Sequence, residues 1–178
     1  GGRGTGFHFG RPQDVDMVMG TFSKSFASVG GFVASRKDVI QWVQIFARPF
    51  IFSASLPPAN VATVLACLDI IEQEPERVAR VNAVADRVRG ELKGMGYNVG
   101  PSETPIIPII IGDIMKVIKA WHILFEAGIY TNVAVPPAVP NEMSLLRTSY
   151  MATHTDSQVD RILETFHKVK DLLDVEGG

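Results

Sequence analysis

What the 178-residue chain lacks narrows its chemistry before anything it contains. It has one cysteine, Cys67, which excludes an internal disulfide and a thiolate zinc cluster and makes a reducing, cytoplasmic location the expectation. Charge of one sign is missing too. Seventeen Lys and Arg against 19 Asp and Glu supply no general field for nucleic acid or an anionic membrane surface, so any anion site must be local. Apolar runs such as 106–111 are strand-length, far short of the roughly 20 residues that cross a bilayer, and no transmembrane segment is expected. No histidines or carboxylates show metal-ligand spacing on a shared element, which argues against a metal site. Repeats and low-complexity stretches are absent. A hydrophobic fraction of 46% and a charged fraction of 20% are ordinary globular values and exclude intrinsic disorder.

What is present divides into two unequal pieces, 1–72 and 73–178, with Pro75 as punctuation. In the first, 14–19 and 31–35 read as short strands bounded by Gly20 and the pair Gly30-Gly31. A helix follows over 37–46. Another opens at Pro57-Pro58 and sets Val61, Val64, Leu65, Leu68 and Ile71 at helical spacing. In the second piece, Val78, Val81, Ala85, Val88, Leu92 and Met95 mark a helix with one buried stripe, stopped by Gly94 and Gly96. The β-rich run 104–111 contains Pro105 and Pro108 and reads as an edge strand or one with irregular pairing. Ile114, Val117, Ile118, Trp121, Leu124 and Phe125 form the next helix, ended by Gly128. Strands over 129–135 and 144–150 follow. The last helix begins at Thr155, which makes a capping box with Gln158, and buries Val159, Ile162, Leu163, Phe166, Val169 and Leu173. The second piece is thus an α+β sandwich, one sheet with helices on one face.

The most informative segment is Gly20-Thr21-Phe22-Ser23-Lys24-Ser25-Phe26, followed by Gly30-Gly31-Phe32-Val33. A lysine set directly after a strand, among hydroxyls and beside glycines, is badly placed for a solvated charge, and desolvation would make its neutral amine a nucleophile. Thr21 and Ser23 could hydrogen-bond an anionic group, and the glycines would let backbone approach it. Those are the needs of a lysine that holds pyridoxal phosphate as a Schiff base. An exposed lysine in a Ser/Gly-rich loop is the competing reading of the same residues.

The string GTFSKSF with its later double glycine resembles the cofactor-lysine segment of the α-oxoamine synthases, fold-type I pyridoxal-phosphate enzymes that condense an amino acid with an acyl-CoA. The resemblance continues in order along the chain. The segment 48–58 resembles the family's stretch that reaches across the dimer interface. Pro136-Pro137-Ala138-Val139-Pro140 and Leu145-Leu146-Arg147 resemble its carboxylate-binding region, and Ala152-Thr153-His154-Thr155 the opening of its final helix. The implied fold is α/β, the end of the large mixed-sheet domain in 1–72 plus the small α+β domain in 73–178. The chain begins Gly1-Gly2-Arg3-Gly4 without a methionine. It is expected to be the C-terminal half of such an enzyme, with the aspartate and histidines that meet the pyridine ring lying upstream.

The resemblance implies a role for each site residue. Lys24 is the cofactor lysine and the base that removes the Cα proton. Thr21 and Ser23 bind the cofactor phosphate. Ser53 and Ala54 reach the phosphate in the neighbouring subunit of a homodimer, although Ser53 and Ser55 could instead cap the helix at Pro57-Pro58. Arg147 takes the amino-acid carboxylate, with a structural salt bridge as the alternative. Where several members of the family carry an arginine before the Pro-Pro pair, this chain has Val135. Among the histidines, His154 orders the turn before the last helix, His122 and His167 are solvated, and His8 has no evident role. Other fold-type I enzymes, an inactive fragment and a dimerising half without catalysis are the competing functions.

Overall fold

The structure, a computed structural model, describes residues 2–170. They divide into two compact units, Gly1–Pro75 and Glu76–Gly178. The first unit opens with a single helical turn, α1 (Thr5–His8), and a 3-10 turn at Pro12–Asp14. Strands β1 (Met17–Thr21) and β2 (Gly31–Ser35) then pair antiparallel, with Thr21 opposite Gly31 and Met17 opposite Ser35. The first strand therefore starts and ends later than the expected 14–19. Arg11 and Asp14 close an ion pair at 2.5 Å across the 3-10 turn, and pairing with β2 carries the strand on through Gly20 and Thr21.

Helix α2 (Lys37–Phe46) has the expected bounds. A further turn, α3 (Arg48–Ile51), was not anticipated and is started by Pro49 inside its first turn, where the missing N–H costs no bond. Helix α4 (Pro58–Gln73) follows the same rule with Pro58 at its first position.

In the second unit, α5 (Glu76–Gly94) ends as its glycines required: Gly96 has φ 88°, and the Tyr97 N–H reaches back to the Leu92 carbonyl at 3.0 Å. The sheet is antiparallel with order β3-β5-β4, from β3 (Ile106–Gly112), β4 (Asn132–Ala134) and β5 (Ser144–Ser149). The edge position of β3 suits Pro108, which cannot donate to a ladder. Strand β4 is much shorter than the expected 129–135. Gly128 turns left-handed at φ 79° to end α6 (Ile114–Glu126), and the Ile129 N–H is spent on the Leu124 carbonyl at 2.8 Å, so pairing cannot start there.

Helix α7 (Asp156–Lys170) carries the expected capping box in both directions, Thr155 N–H to Gln158 Oε1 at 2.9 Å and Gln158 N–H to Thr155 Oγ1 at 3.3 Å. Leu173 lies outside the described residues. Helices α5, α6 and α7 supply Leu92, Val88, Val117, Leu124, Val159 and Phe166 to a core closed by Ile107, Ile109 and Leu146 from one face of the sheet. Arg80 pairs with Asp156 at 2.7 Å and Arg87 with Asp160 at 2.6 Å, tying α5 to α7. No helix among the described residues is long and apolar enough to cross a membrane.

Candidate functional site

Lys24 sits in the nine-residue loop that joins β1 to β2. The loop is closed at its base, where the Phe22 N–H donates to the Gly30 carbonyl at 2.9 Å, and tightened by Ser28 N–H to Phe22 O at 2.9 Å and Ala27 N–H to Lys24 O at 3.0 Å. Ala27 takes the left-handed conformation at φ 48° to complete that turn. Both glycines of the pair are needed for different reasons. Gly30 has φ 89°, and a Cβ there would also meet the Leu56 side chain at 2.5 Å. Gly31 has ordinary φ, but a Cβ would come within 2.5 Å of the Gly20 carbonyl oxygen across the hairpin.

Beneath the loop, Phe22 is buried between Phe26 and Phe32, with ring centroids 5.5 and 5.8 Å away. Helix α4 holds the loop from below: Asn60 Nδ2 donates to Ser28 Oγ at 3.0 Å, and the Cys67 thiol lies 3.6 Å from the Phe26 carbonyl. Sequence reasoning missed this clamp. Its signal was available as a polar Asn60 and a small Cys67 on one face of an apolar helix, seven residues apart and hence two turns.

The loop presents Lys24 and the hydroxyls of Thr21 and Ser23 outward; all three are exposed. Their exposure departs from the desolvated lysine expected of the sequence. Phe22 and Ser28 take the buried positions of the segment, and Lys24 lies outside them. Thr21 Oγ1 and Ser23 Oγ lie 2.9 Å apart, and the Ser23 N–H points at Thr21 Oγ1 at 3.3 Å. Thr21 can give its proton to the Gly30 carbonyl at 3.4 Å, which leaves the Ser23 proton to turn toward a bound acceptor. An outward amine, hydroxyls three residues and one residue before it and glycine backbone at the loop base fit a group that carries both an aldehyde and a phosphate.

The segment 52–57 is less ready. Ser53 Oγ donates to the Pro49 carbonyl and the Ser53 N–H lies 3.4 Å from the Phe50 carbonyl, so the serine is occupied by its own turn. The Ala54 N–H has no partner among the described residues. The alternative in which Ser53 and Ser55 cap the next helix is not what the structure shows: Pro57 occupies the cap position and makes no side-chain cap bond.

In the second unit, β5 alternates strictly. Ser144, Leu146 and Thr148 are buried toward the helices, and Arg147 projects from the other face, exposed and without an ion-pair partner among the described residues. The salt-bridge alternative thus has no counterpart among the described residues. His154 orders the turn before α7, its Nδ1 accepting from the Met151 N–H at 3.0 Å, while His8, His122 and His167 are exposed. Val135 lies just beyond β4 and offers no polar group. Among the described residues no cluster of His, Cys, Asp or Glu could hold a metal ion.

The aminotransferase class I and II family model matches residues 5–166, and the chain belongs to that family. Its relatives within the family are α-oxoamine synthases, the kinship read from the lysine segment and the motifs after it. The serine palmitoyltransferase of Bacteriovorax stolpii is 44% identical over 174 residues, which are 98% of this chain and 41% of that protein. A putative 8-amino-7-oxononanoate synthase 2 of Mycobacterium tuberculosis is 42% identical over 177 residues, 99% of this chain and 23% of that one. The fold superposes on a high-resolution structure of serine palmitoyltransferase with its pyridoxal-phosphate internal aldimine at TM-score 0.93 and 36% identity, over 98% of this chain and 44% of that one. The chain therefore spans less than half the length of these relatives.

Proposed function

We propose that the chain is the C-terminal part of a pyridoxal-phosphate-dependent acyltransferase, a cytoplasmic homodimer that joins an amino acid to an acyl-CoA, nearest in kind to serine palmitoyltransferase. The observation that carries this reading is the Lys24 loop: an outward amine beside a 2.9 Å hydroxyl pair, on a double-glycine hairpin. Glycine C-acetyltransferase and 8-amino-7-oxononanoate synthase chemistry would use the same residues with a different acyl donor. On this reading 1–72 belongs to the large cofactor domain and 73–178 is the small domain.

Pyridoxal phosphate, when bound, supplies an electron sink for a carbanion at the amino-acid Cα. The chain's own groups do the rest. Lys24 holds the cofactor through its amine and, once released, is the base for the Cα proton. Ser23 donates to the phosphate, and Thr21 does so by giving up the Gly30 carbonyl. The Ala54 N–H donates to the phosphate in the partner subunit, and the Ser53 hydroxyl joins it by leaving the Pro49 carbonyl. Arg147 offers its planar fork to the amino-acid carboxylate. In the overall reaction the Cα proton leaves and Cα bonds to the acyl carbon as the thioester C–S bond breaks. Coenzyme A departs as the thiol, the carboxylate leaves as carbon dioxide, and a proton returns to Cα.

Borohydride reduction of the cofactor-loaded complete protein, followed by peptide mass spectrometry, should place the cofactor on Lys24, and Lys24→Ala should abolish the covalent adduct. An adduct that persists in Lys24→Ala overturns the assignment. Thr21→Ala and Ser23→Ala should each weaken cofactor retention by about 1.5–3 kcal/mol, the worth of a charge-assisted hydrogen bond. The shared site has its own test. A Lys24→Ala chain mixed with a Ser53→Ala, Ala54→Pro chain should regain part of the CoA release that neither shows alone.

A further inference from the structure

The helix-free face of the small sheet carries more than Arg147. Register sets Asn132 of β4 directly opposite Arg147 on one side and Pro108 of β3 on the other. Side chains so opposed in antiparallel strands have Cβ atoms about 4.5–5.5 Å apart, within mutual reach of one small ligand. Asn132 and Arg147 are both exposed. Neither side chain has a hydrogen bond or ion pair among the described residues.

The surrounding rows make this face lopsided. Ile106, Pro108 and Ile110 line the β3 side, and Leu145 and Ala134 form the next row beyond Arg147 and Asn132. None of these is acidic, so the guanidinium has no internal counter-ion on its own sheet. It is walled by hydrocarbon toward β3 and left with one polar neighbour toward β4. A carboxylate offers two oxygens with about four acceptor sites, more than one guanidinium edge uses, and an amide N–H is the complement for what remains.

We propose that Asn132 is a second carboxylate-binding residue: its side-chain amide donates to one oxygen of the amino-acid carboxylate while Arg147 engages the other. This rests on the reading of Arg147 given above. The neutral amide adds a donor without adding a second positive charge, and its position on β4 makes the site discriminate an α-amino acid from the same amine lacking a carboxylate.

The test compares L-serine with ethanolamine, which keeps the amine and the hydroxyl but has no carboxylate. Binding to the complete, cofactor-loaded protein is measured by calorimetry, and cofactor retention is measured separately. Asn132→Ala should raise the L-serine dissociation constant about ten- to 100-fold, the loss of one hydrogen bond to a charged group. Asn132→Asp should raise it further still, because the new carboxylate pairs with Arg147 and repels the substrate. Ethanolamine binding and cofactor retention should stay unchanged in both variants. If L-serine binding is unaffected by both substitutions but weakened by Arg147→Lys, the role of Asn132 is overturned and that of Arg147 stands. If Arg147→Lys also has no effect, both fall together. Parallel loss of L-serine, ethanolamine and cofactor in the Asn132 variants would show a structural role and overturn the proposal.

Discussion

The two units differ in how they use similar fractions of apolar sequence. Every member of the main core lies between Val84 and Val169, inside the second unit. The first unit buries only Phe22 and Ser28 among its described residues, while Met19, Trp42, Ile45, Phe50 and Phe52 stand exposed, Phe52 at 84%. A three-stranded sheet backed by three helices closes on itself, whereas a two-stranded hairpin with flanking helices has no second layer to bury against. Exposed apolar area of this extent marks a surface made to be covered. The contrast teaches that the second unit has its stability within itself, and that the lysine loop is positioned by a local clamp on a unit that is otherwise thinly packed.

The largest test of that contrast separates the units. Residues 76–178 expressed alone should show a single cooperative urea transition by circular dichroism, and residues 1–75 alone should show none. A cooperative transition in 1–75 would break the comparison. Next in size are matched substitutions. Phe166→Ala, which empties a fully buried position and removes a ring 5.7 Å from Tyr97, should cost about 3–5 kcal/mol. Phe52→Ala in the first unit should stay within about 0.5 kcal/mol.

A smaller effect comes from Tyr150, whose hydroxyl has no hydrogen-bond partner among the described residues. Burial pushes its phenol up to about 12, against a weaker opposing pull from the Thr148 hydroxyl. The unfolded chain ionises this tyrosine near pH 10, so the folded state keeps a proton that the unfolded state loses. Stability is then full below pH 10 and falls by about 2–3 kcal/mol as the pH rises toward 12. Tyr150→Phe should flatten that alkaline loss while leaving stability at pH 7 unchanged or slightly higher. Smallest is the α5–α7 ion pair. Arg80 holds the Asp156 carboxyl below its usual range through a hydrogen bond and its charge, so the pair's support is present above the ordinary carboxylate range and is lost as pH falls through the lowered value. Asp156→Asn should remove only a slight part of the acid limb, since the carboxylate is exposed.

Helices were the most legible part of the fold. The apolar spacing of 114–125, the Thr155–Gln158 box and the prolines at 57–58 specify local geometry that no distant contact needs to decide. Strand ends were less legible. The shortening of β4 depends on the Ile129 N–H being claimed by the end of α6, a contact made by the turn at Gly128 and invisible in the β-rich letters of 129–135. At the candidate site, the loop that carries Lys24, Thr21 and Ser23 was readable because glycine spacing after a strand is itself a loop geometry. The Ser28–Asn60 clamp was not, since it joins residues 32 apart in sequence.

The sequence by itself pointed to the family, through ordered motifs that run from the lysine segment to the last helix, and it determined where the longer helices start. Local rules of capping, φ freedom and 3.6-residue periodicity act over a few residues and are written there in full. Only the tertiary structure decided which side of each residue meets solvent. Register across β3, β5 and β4 turned Arg147 away from the core and set Asn132 beside it, because side chains alternate along a strand and a one-residue slip would reverse both. The same kind of decision left Lys24 exposed on its hairpin, where residue spacing had suggested burial: Phe22 and Ser28 take the inner positions, and Asn60 of α4 holds Ser28 there.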